Sequence, residues 1–386
     1  MAMTIVENTR PVPDGVDTHL DVHVAAALDA NGTLLGVESF PAERSGYAAL
    51  HRWFESFGEL ARVGVEGTGA YGAGLARHLW AVGVEVIEVD RPNRQERRRA
   101  GKSDTLDAVE AARAALSGGA RGRAKTKVGN VEAIRALLVA KRSARSSRIM
   151  TRNQLRHLCF TAPDELRERL ARLSRAELIT QAAALRPRAE RDPVMYATKL
   201  SMATLARRVI ALNDEIDRLD THIAELVRRA APALLDLYGV GADTAAILLA
   251  AAGDNPERIR SEAAWAHLCG VAPLPASSGK TTRHRLNPGG NRQANHALWH
   301  IAFTRMSSDK RTRVYVERRV AEGLTKPEIM RVLKRYIARE TYRHLRATNT
   351  RSGVAGLARE CPRRPPAVLR SICRPAARHH HRHRMA

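Results

Sequence analysis

The sequence predicts a mixed α/β head followed by a mostly helical remainder, and three observations carry that prediction. Over residues 1–125, short apolar runs bounded by Gly, Asn and Asp alternate with segments of helical spacing. From about 130 to 230 the chain becomes rich in Ala, Leu and Arg, with few glycines. Charge divides near the same place: residues 1–110 hold 11 Lys and Arg against 17 Asp and Glu, whereas the rest hold 53 against 23. A mildly acidic head thus precedes a strongly basic body in a chain of formal net charge +24. Four units are expected: a head over 1–125, a helical or coiled-coil region over 126–231, a C-terminal domain over 232–345 and a disordered basic tail over 346–386.

Taken in order, 15–29 ("GVDTHLDVHVAAALD") alternates apolar and polar residues, and the Asn31-Gly32 turn leads it into "TLLGVESF" as a hairpin. "SGYAALHRWFESFG" has helical spacing, "RVGVE" reads as a strand, 73–82 as a helix and "VEVIEV" as a strand. A helix over 103–116 begins at Ser103, a natural N-cap. The stretch 205–230 sets Val209, Leu212, Ile216, Leu219, Ile223 and Leu226 at steps of three and four, a coiled coil or helical hairpin. "LLDLYGVGADTAAILLAAAG" has the shape of a helix-hairpin-helix, whose Gly239 and Gly241 let backbone amides approach a phosphate. A Gly/Ser/Pro loop over 270–291 and further helices to about 345 follow, and the end of the chain has neither period.

Composition excludes several classes. No apolar run reaches the length of a membrane span and the N-terminus lacks a signal-peptide core, so a soluble intracellular protein with no membrane partner is expected. Cys159, Cys269, Cys361 and Cys373 form no zinc or redox spacing and read as buried or incidental thiols; His379, His380, His381 and His383 are at most an adventitious metal site. The basic surplus implies a polyanionic partner, since neutralised phosphates release condensed counterions. Aromatics at 4% argue against base stacking on single strands as the main mode.

Three motifs carry chemistry. Asp17 lies in the first strand, Glu66 ends a strand before a glycine loop, and Asp104 and Asp107 share a face at a helix start. Converging carboxylates need a counter-charge, which a pair of Mg²⁺ ions supplies; the bland alternative is ordinary surface acids with a helix-capping preference. Gly67, Gly69 and Gly72 match the dinucleotide fingerprint G-x-G-x-x-G. A preceding hairpin, the charge of Glu66 beside Gly67 and the basic surplus all oppose NAD, so these glycines are expected to make a tight strand-to-helix turn. In "APLPASSGKTTRHRLNPGGNRQANHAL", Ser277 and Ser278 precede Gly279 among Lys280, Arg283, His284, Arg285 and Arg292. A hydroxyl on such a loop could attack a phosphodiester, with the cations steadying the charge on phosphorus oxygens; a clamp without chemistry is the alternative.

The motifs "GVDTHLDVHVAAALDANG", "VGVEGTGAYG", "KSDTLDA", "LYGVGADTA" and "LCGVAPLPASSGKTTRHRLNPGGNRQANHAL", in that order over about residues 12–345, resemble the insertion-sequence transposases with a DEDD motif, the IS110 group of bridge-RNA-guided recombinases. The resemblance implies an RNase H/RuvC-like head whose Asp17, Glu66, Asp104 and Asp107 bind Mg²⁺ (or Mn²⁺), and a nucleophilic serine at Ser278, with Ser277 one register away. It implies donor and target double-stranded DNA, a structured non-coding guide RNA, a dimer or dimer of dimers with composite sites, and a bacterial cytoplasmic, nucleoid-associated setting. Lys280, Arg283, Arg285, Arg292, Gly239 and Gly241 are the expected nucleic-acid contacts. A RuvC-like nuclease using metal-activated water, with the serine loop only gripping phosphate, is the alternative; a non-catalytic binding protein is the third.

Overall fold

The computed structural model describes residues 13–89, 103–117, 122–187, 192–277 and 284–352. The head is a six-stranded mixed sheet, in the order β3-β2-β1-β4-β5-β6. Its strands are β1 (Pro13–Thr18), β2 (Val22–Leu28), β3 (Leu34–Pro41), β4 (Arg62–Glu66), β5 (Glu85–Val89) and β6 (Gly122–Arg123). β1, β4 and β5 run parallel; β2, β3 and β6 are antiparallel to their neighbours. A three-stranded meander followed by parallel strands beside its first member is the RNase H/RuvC-like arrangement.

The expected single strand over 15–29 is two. Thr18 pairs with His23 and the His19 amide donates to the Val22 carbonyl at 3.1 Å, so Leu20 and Asp21 form the tip of a hairpin. The alternation of polar and apolar residues runs through the tip, which hides the break, and Leu20 is largely exposed there. The second turn falls at Asn31-Gly32 as expected, with Asp29 accepting the Asn31 and Thr33 amides at 2.8 and 2.7 Å.

Helices α1 (Arg44–Glu55) and α2 (Ala73–Ala81) cover one face of the sheet, where Val16, Leu50, Phe54, Val65, Leu75 and Leu79 are fully buried. The opposite face carries α3 (Asp104–Leu116), seated on Val24, Ala26 and Leu28 through Ala108, Val109 and Ala112. Ser103 occupies the N-cap position with extended backbone, but its side chain accepts no capping hydrogen bond.

Beyond the head, α4 (Gly129–Phe160) and α7 (Pro193–Ala230) form a long helical hairpin; α5 (Asp164–Leu170) and α6 (Arg175–Ala183) pack at its far end. The expected periodic stretch from 205 is only the later part of α7, which starts at Pro193 behind the Asp192 cap. The extension is masked in sequence because its buried residues, Met195, Thr198, Met202 and Ala203, are two methionines, a threonine and a small alanine. The middle of the hairpin is polar: Arg148 donates to Asn213 at 3.0 Å, and Lys141, almost fully buried, sits between Asp220 and Asp243. Apolar clusters close both ends.

The C-terminal unit gathers α8 (Pro232–Leu235), α9 (Ala242–Ala252), α10 (Glu262–Leu268), α11 (Arg292–Ser308), α12 (Lys310–Ala321) and α13 (Lys326–Ser352) around Trp265, Leu298, Ile301, Ile329 and Ile337. A two-stranded ribbon, β7 (Leu274–Pro275) and β8 (His284–Arg285), projects from it. Helix α13 runs to Ser352, seven residues past the expected end of the folded unit; the rest of the basic tail lies outside the described residues. Cys159 and Cys269 are buried thiols, in line with the structural reading of them, whereas Cys361, Cys373 and the terminal histidines lie outside the described residues. No described helix is long and apolar enough to cross a membrane.

The head is fastened to this unit through 124–128. Lys125 Nζ donates to the Ala250 carbonyl at 2.8 Å, Asn255 to the Ala124 carbonyl at 2.8 Å, and Asp254 accepts from Thr126 and from the Val128 amide.

Candidate active site

The head's acids are positioned by two glycines, each two residues before one of them on its strand. A Cβ at Gly15 would stand 2.1 Å from the Ala112 nitrogen, and one at Gly64 would stand 2.3 Å from the Ala111 carbonyl oxygen. Strands β1 and β4 therefore touch the main chain of α3 directly, which a larger residue at either position would forbid. Side chains alternate along a strand, so Asp17 shares the face of Gly15 and Glu66 that of Gly64. Both stand at the C-terminal ends of neighbouring parallel strands, on the face that α3 covers, and Asp104 and Asp107 in the first turn of α3 lie close enough to Asp17 to act on its charge.

Asp17, His19 and Asp104 form the compact part of this site, each offering a ligand atom within 4.8 Å of the others. His19 Nε2 lies 3.1 Å from Asp17 Oδ2 and 3.4 Å from Asp104 Oδ2, bridging strand and helix. Asp17 and Asp107 are buried, Asp104 is half exposed. Burial raises the Asp17 carboxyl above the usual range; the His19 imidazole opposes the shift, and Asp107 and Asp104 add to it. Glu66 holds the same strand end, where its carbonyl accepts from Thr18 Oγ1 at 2.8 Å. Clustered carboxylates that disfavour each other's ionised form, with one imidazole among them, are a donor set suited to a hard divalent cation.

Sequence reasoning missed His19. Its signal is Asp-Thr-His: His19 follows directly after β1, two residues from Asp17, so one further step of the strand's alternation sets the imidazole on the same side.

The glycine loop makes the expected tight turn. Gly67 takes a left-handed conformation (φ +76°), its carbonyl accepts the Ala70 and Gly72 amides, and α2 starts at Ala73. Gly67 and Gly72 both abut Thr18: a Cβ on Gly67 would stand 2.9 Å from its Oγ1 and one on Gly72 3.0 Å from its Cγ2, so the threonine would have to shift for either; Gly69 has open space, and its carbonyl accepts from Lys127 Nζ at 2.8 Å.

The serine loop rises from a stem fixed by main-chain contact. A Cβ on Gly290 would come within 2.3 Å of the Gly270 Cα. Asn295 donates to the Cys269 and Gly270 carbonyls at 2.9 and 3.1 Å, Asn287 to the His267 carbonyl at 3.2 Å, and Lys334 to Asn295 at 2.9 Å. Ser277 is exposed just beyond β7, and Arg285 and Arg292 are exposed at β8 and at the start of α11. Ser278, Lys280 and Arg283 lie outside the described residues. Gly239 (φ +77°) turns the chain between α8 and α9, and Gly241 caps α9, whose first-turn Asp243 pairs with Lys141 and Arg145.

Two family models match this chain. A transposase model of the DEDD type in the IS110 group covers residues 15–160, and the model described as the transposase IS116/IS110/IS902 family covers 231–317, together more than half of the chain. The chain belongs to the IS110 family of transposases. It is similar to the insertion element IS110 uncharacterized 43.6 kDa protein of Streptomyces coelicolor, 33% identical over 135 residues, or 34% of this chain and 33% of that protein. It is also similar to the insertion element IS900 uncharacterized 42 kDa protein of Mycobacterium paratuberculosis, 30% identical over 161 residues, 41% of this chain and 40% of that one. These alignments thus span between a third and two fifths of the relatives' lengths. The two IS110-family segments fall on the two sites above: the first holds all four acids and ends with α4, and the second holds the α8–α9 turn, the serine loop and α11.

Proposed function

We propose that this transposase cuts and rejoins DNA through a covalent serine–phosphate intermediate. The observation that carries the reading is the gathering of Asp17, His19, Asp104 and Asp107 at the strand ends beside Glu66, with a separate serine loop on a braced basic stem. In the proposed step Ser278 Oγ loses its proton and bonds to the scissile phosphorus, and the 3′-oxygen leaves with a proton. The products are a 5′-phosphoserine and a free 3′-hydroxyl. The ester retains the bond energy, so attack by a second 3′-hydroxyl reseals the strand and regenerates the serine without ATP.

Arg285 and Arg292, with Lys280 and Arg283, steady the charge on the phosphate oxygens, and the amides about Gly239 and Gly241 hold a neighbouring phosphate. A divalent ion held by Asp17, Glu66, Asp104 and Asp107, Mg²⁺ or Mn²⁺, would offset their mutual repulsion and stabilise the attacking and leaving oxygens. The partners we infer are donor and target duplex DNA and a structured guide RNA, in a dimer or dimer of dimers that pairs one copy's acids with another's serine; the basic body supports the nucleic-acid part of this reading.

The test is trapping of protein on cleaved DNA. Ser278→Ala is expected to abolish 5′-linked adducts while duplex binding persists, and RNA mapping beside the gene should co-purify with the full chain. Adducts that survive in Ser278→Ala but vanish in Ser277→Ala move the nucleophile by one residue. Free 5′-phosphate ends with no adduct in the unmodified protein replace this mechanism with metal-dependent hydrolysis.

A further inference from the structure

The acid site and the serine stem leave one outward face of the C-terminal unit unused. Helix α11 buries Ala294, Leu298 and Ile301, but its other side carries His296, Trp299, His300 and Phe303. Their spacing of three and four places them in one row along the helix. Trp299 stacks on His296 with ring centroids 5.9 Å apart and planes 11° apart, and on Phe303 at 5.2 Å and 15°. In a chain with only four Trp and five Phe, this near-parallel row is a concentrated supply of exposed ring surface. Trp299 and Phe303 are 37% and 52% exposed.

Trp299 and Phe303 of this row wall a groove of about 700 Å³ that Met306, Val316 and Met330 also line. Leu286 closes the groove on the side of the serine loop, one residue past β8. The rim carries Lys326, Arg331 and Lys334, and among the described residues no acid lines the groove. A second copy of the chain presenting the same face would set three cations against three, so the charge opposes self-association here. Flat apolar surface bordered by cations matches a nucleobase with its phosphate: the base stacks on the rings and the phosphate meets the rim.

We propose that this groove holds unpaired nucleotides of the DNA strand being exchanged. The inference rests on the transposase reading above, because moving a strand from one duplex to another must unpair bases beside the break. A groove that opens next to the returning end of the serine loop is placed to hold them. Stacking is indifferent to sequence, as a site that serves varying DNA requires.

The experiment uses the full chain with a 2-aminopurine-containing DNA single strand, a duplex of the same sequence and an RNA of the same sequence. Trp299→Leu/Phe303→Leu keeps apolar contact with the rest of the groove and removes the rings. The ratio of single-strand to duplex affinity should fall by about 5- to 100-fold, and quenching of 2-aminopurine should disappear. Phe303→Tyr should retain both properties. An unchanged ratio with quenching intact overturns the proposal. So does a shift in sedimentation of the ring variant with unchanged DNA affinity, which makes the face a protein interface. A ring-dependent preference for RNA with none for DNA also overturns it. If the unmodified protein binds no DNA in either form, the transposase reading itself falls; if it binds duplex and forms adducts while ignoring the rings, only the groove assignment fails.

Discussion

Asp14 and Asp17 stand three residues apart on β1 and, by the alternation of the strand, on opposite faces of the sheet. Asp17 reaches the α3 side and finds His19. Asp14 points with Val16 into the layer under α1 and α2, where it is fully buried and neither carboxyl oxygen has a hydrogen-bond partner among the described residues. Burial pushes its pKa up to about 8 from the ordinary 3.8, so the group is neutral in the folded chain at pH 7 and charged in the unfolded one. The folded state then binds one proton more than the unfolded state between those two values, and stability falls as pH rises through that window. Asp14→Asn should flatten this dependence, removing a slope of at most about 1.4 kcal/mol per pH unit. Urea unfolding at pH 5 and pH 8 measures it; equal pH slopes in the two proteins would refute the assignment. Nothing in the sequence distinguishes the two aspartates except strand parity, and parity became usable only once the hairpin tip at Leu20-Asp21 was known.

At the scale of elements, the contact of α3 with β1 and β4 decides whether the acids meet. The alternation of apolar runs and turn residues made the strands, α1, α2 and α3 legible, and Asp104 with Asp107 announced a helix start. The hairpin inside 15–29 stayed hidden because Leu20 and Asp21 at its tip continued the strand's alternation. His19 was overlooked because a histidine between two strands carries no helical or metal spacing by itself. The glycines at 15 and 64 gave no sequence signal of their own, since their role depends on a helix some fifty to a hundred residues away. Gly15→Ala is expected to displace α3, because the new methyl meets main chain that cannot rotate aside. Overpacking of this kind costs about 1–3 kcal/mol. The informative readout is calorimetric Mg²⁺ or Mn²⁺ uptake, which should weaken at least about tenfold although no ligand is altered. Unchanged uptake in a folded Gly15→Ala protein would show that α3 does not set the site.

For the whole molecule, the asymmetry of charge is the dominant property, and it was fully readable from the sequence: −6 over residues 1–110 and +30 after them. The eight arginines of 353–386 contribute to it from beyond the last described helix, whose last described buried residue is Leu345. Ending the chain after Ser352 should leave the melting temperature unchanged and make duplex binding less steeply dependent on salt, by about 0.9 in logarithmic slope for each phosphate that the shortened chain no longer neutralises. A large drop in melting temperature would mean that those residues pack on the fold. The fastening at 124–128 sets a different rule for the chain. Its links are made by the Ala124 and Ala250 carbonyls, the Asn255 amide and a carboxylate reached by a main-chain amide. Such short-range links are weakly screened, so concentrated salt can strip nucleic acid from the surface without letting the head swing away. Under the composite-site reading proposed above, each copy would bring both of its working regions already oriented, so that docking, not internal rearrangement, would have to bring complementary halves into register.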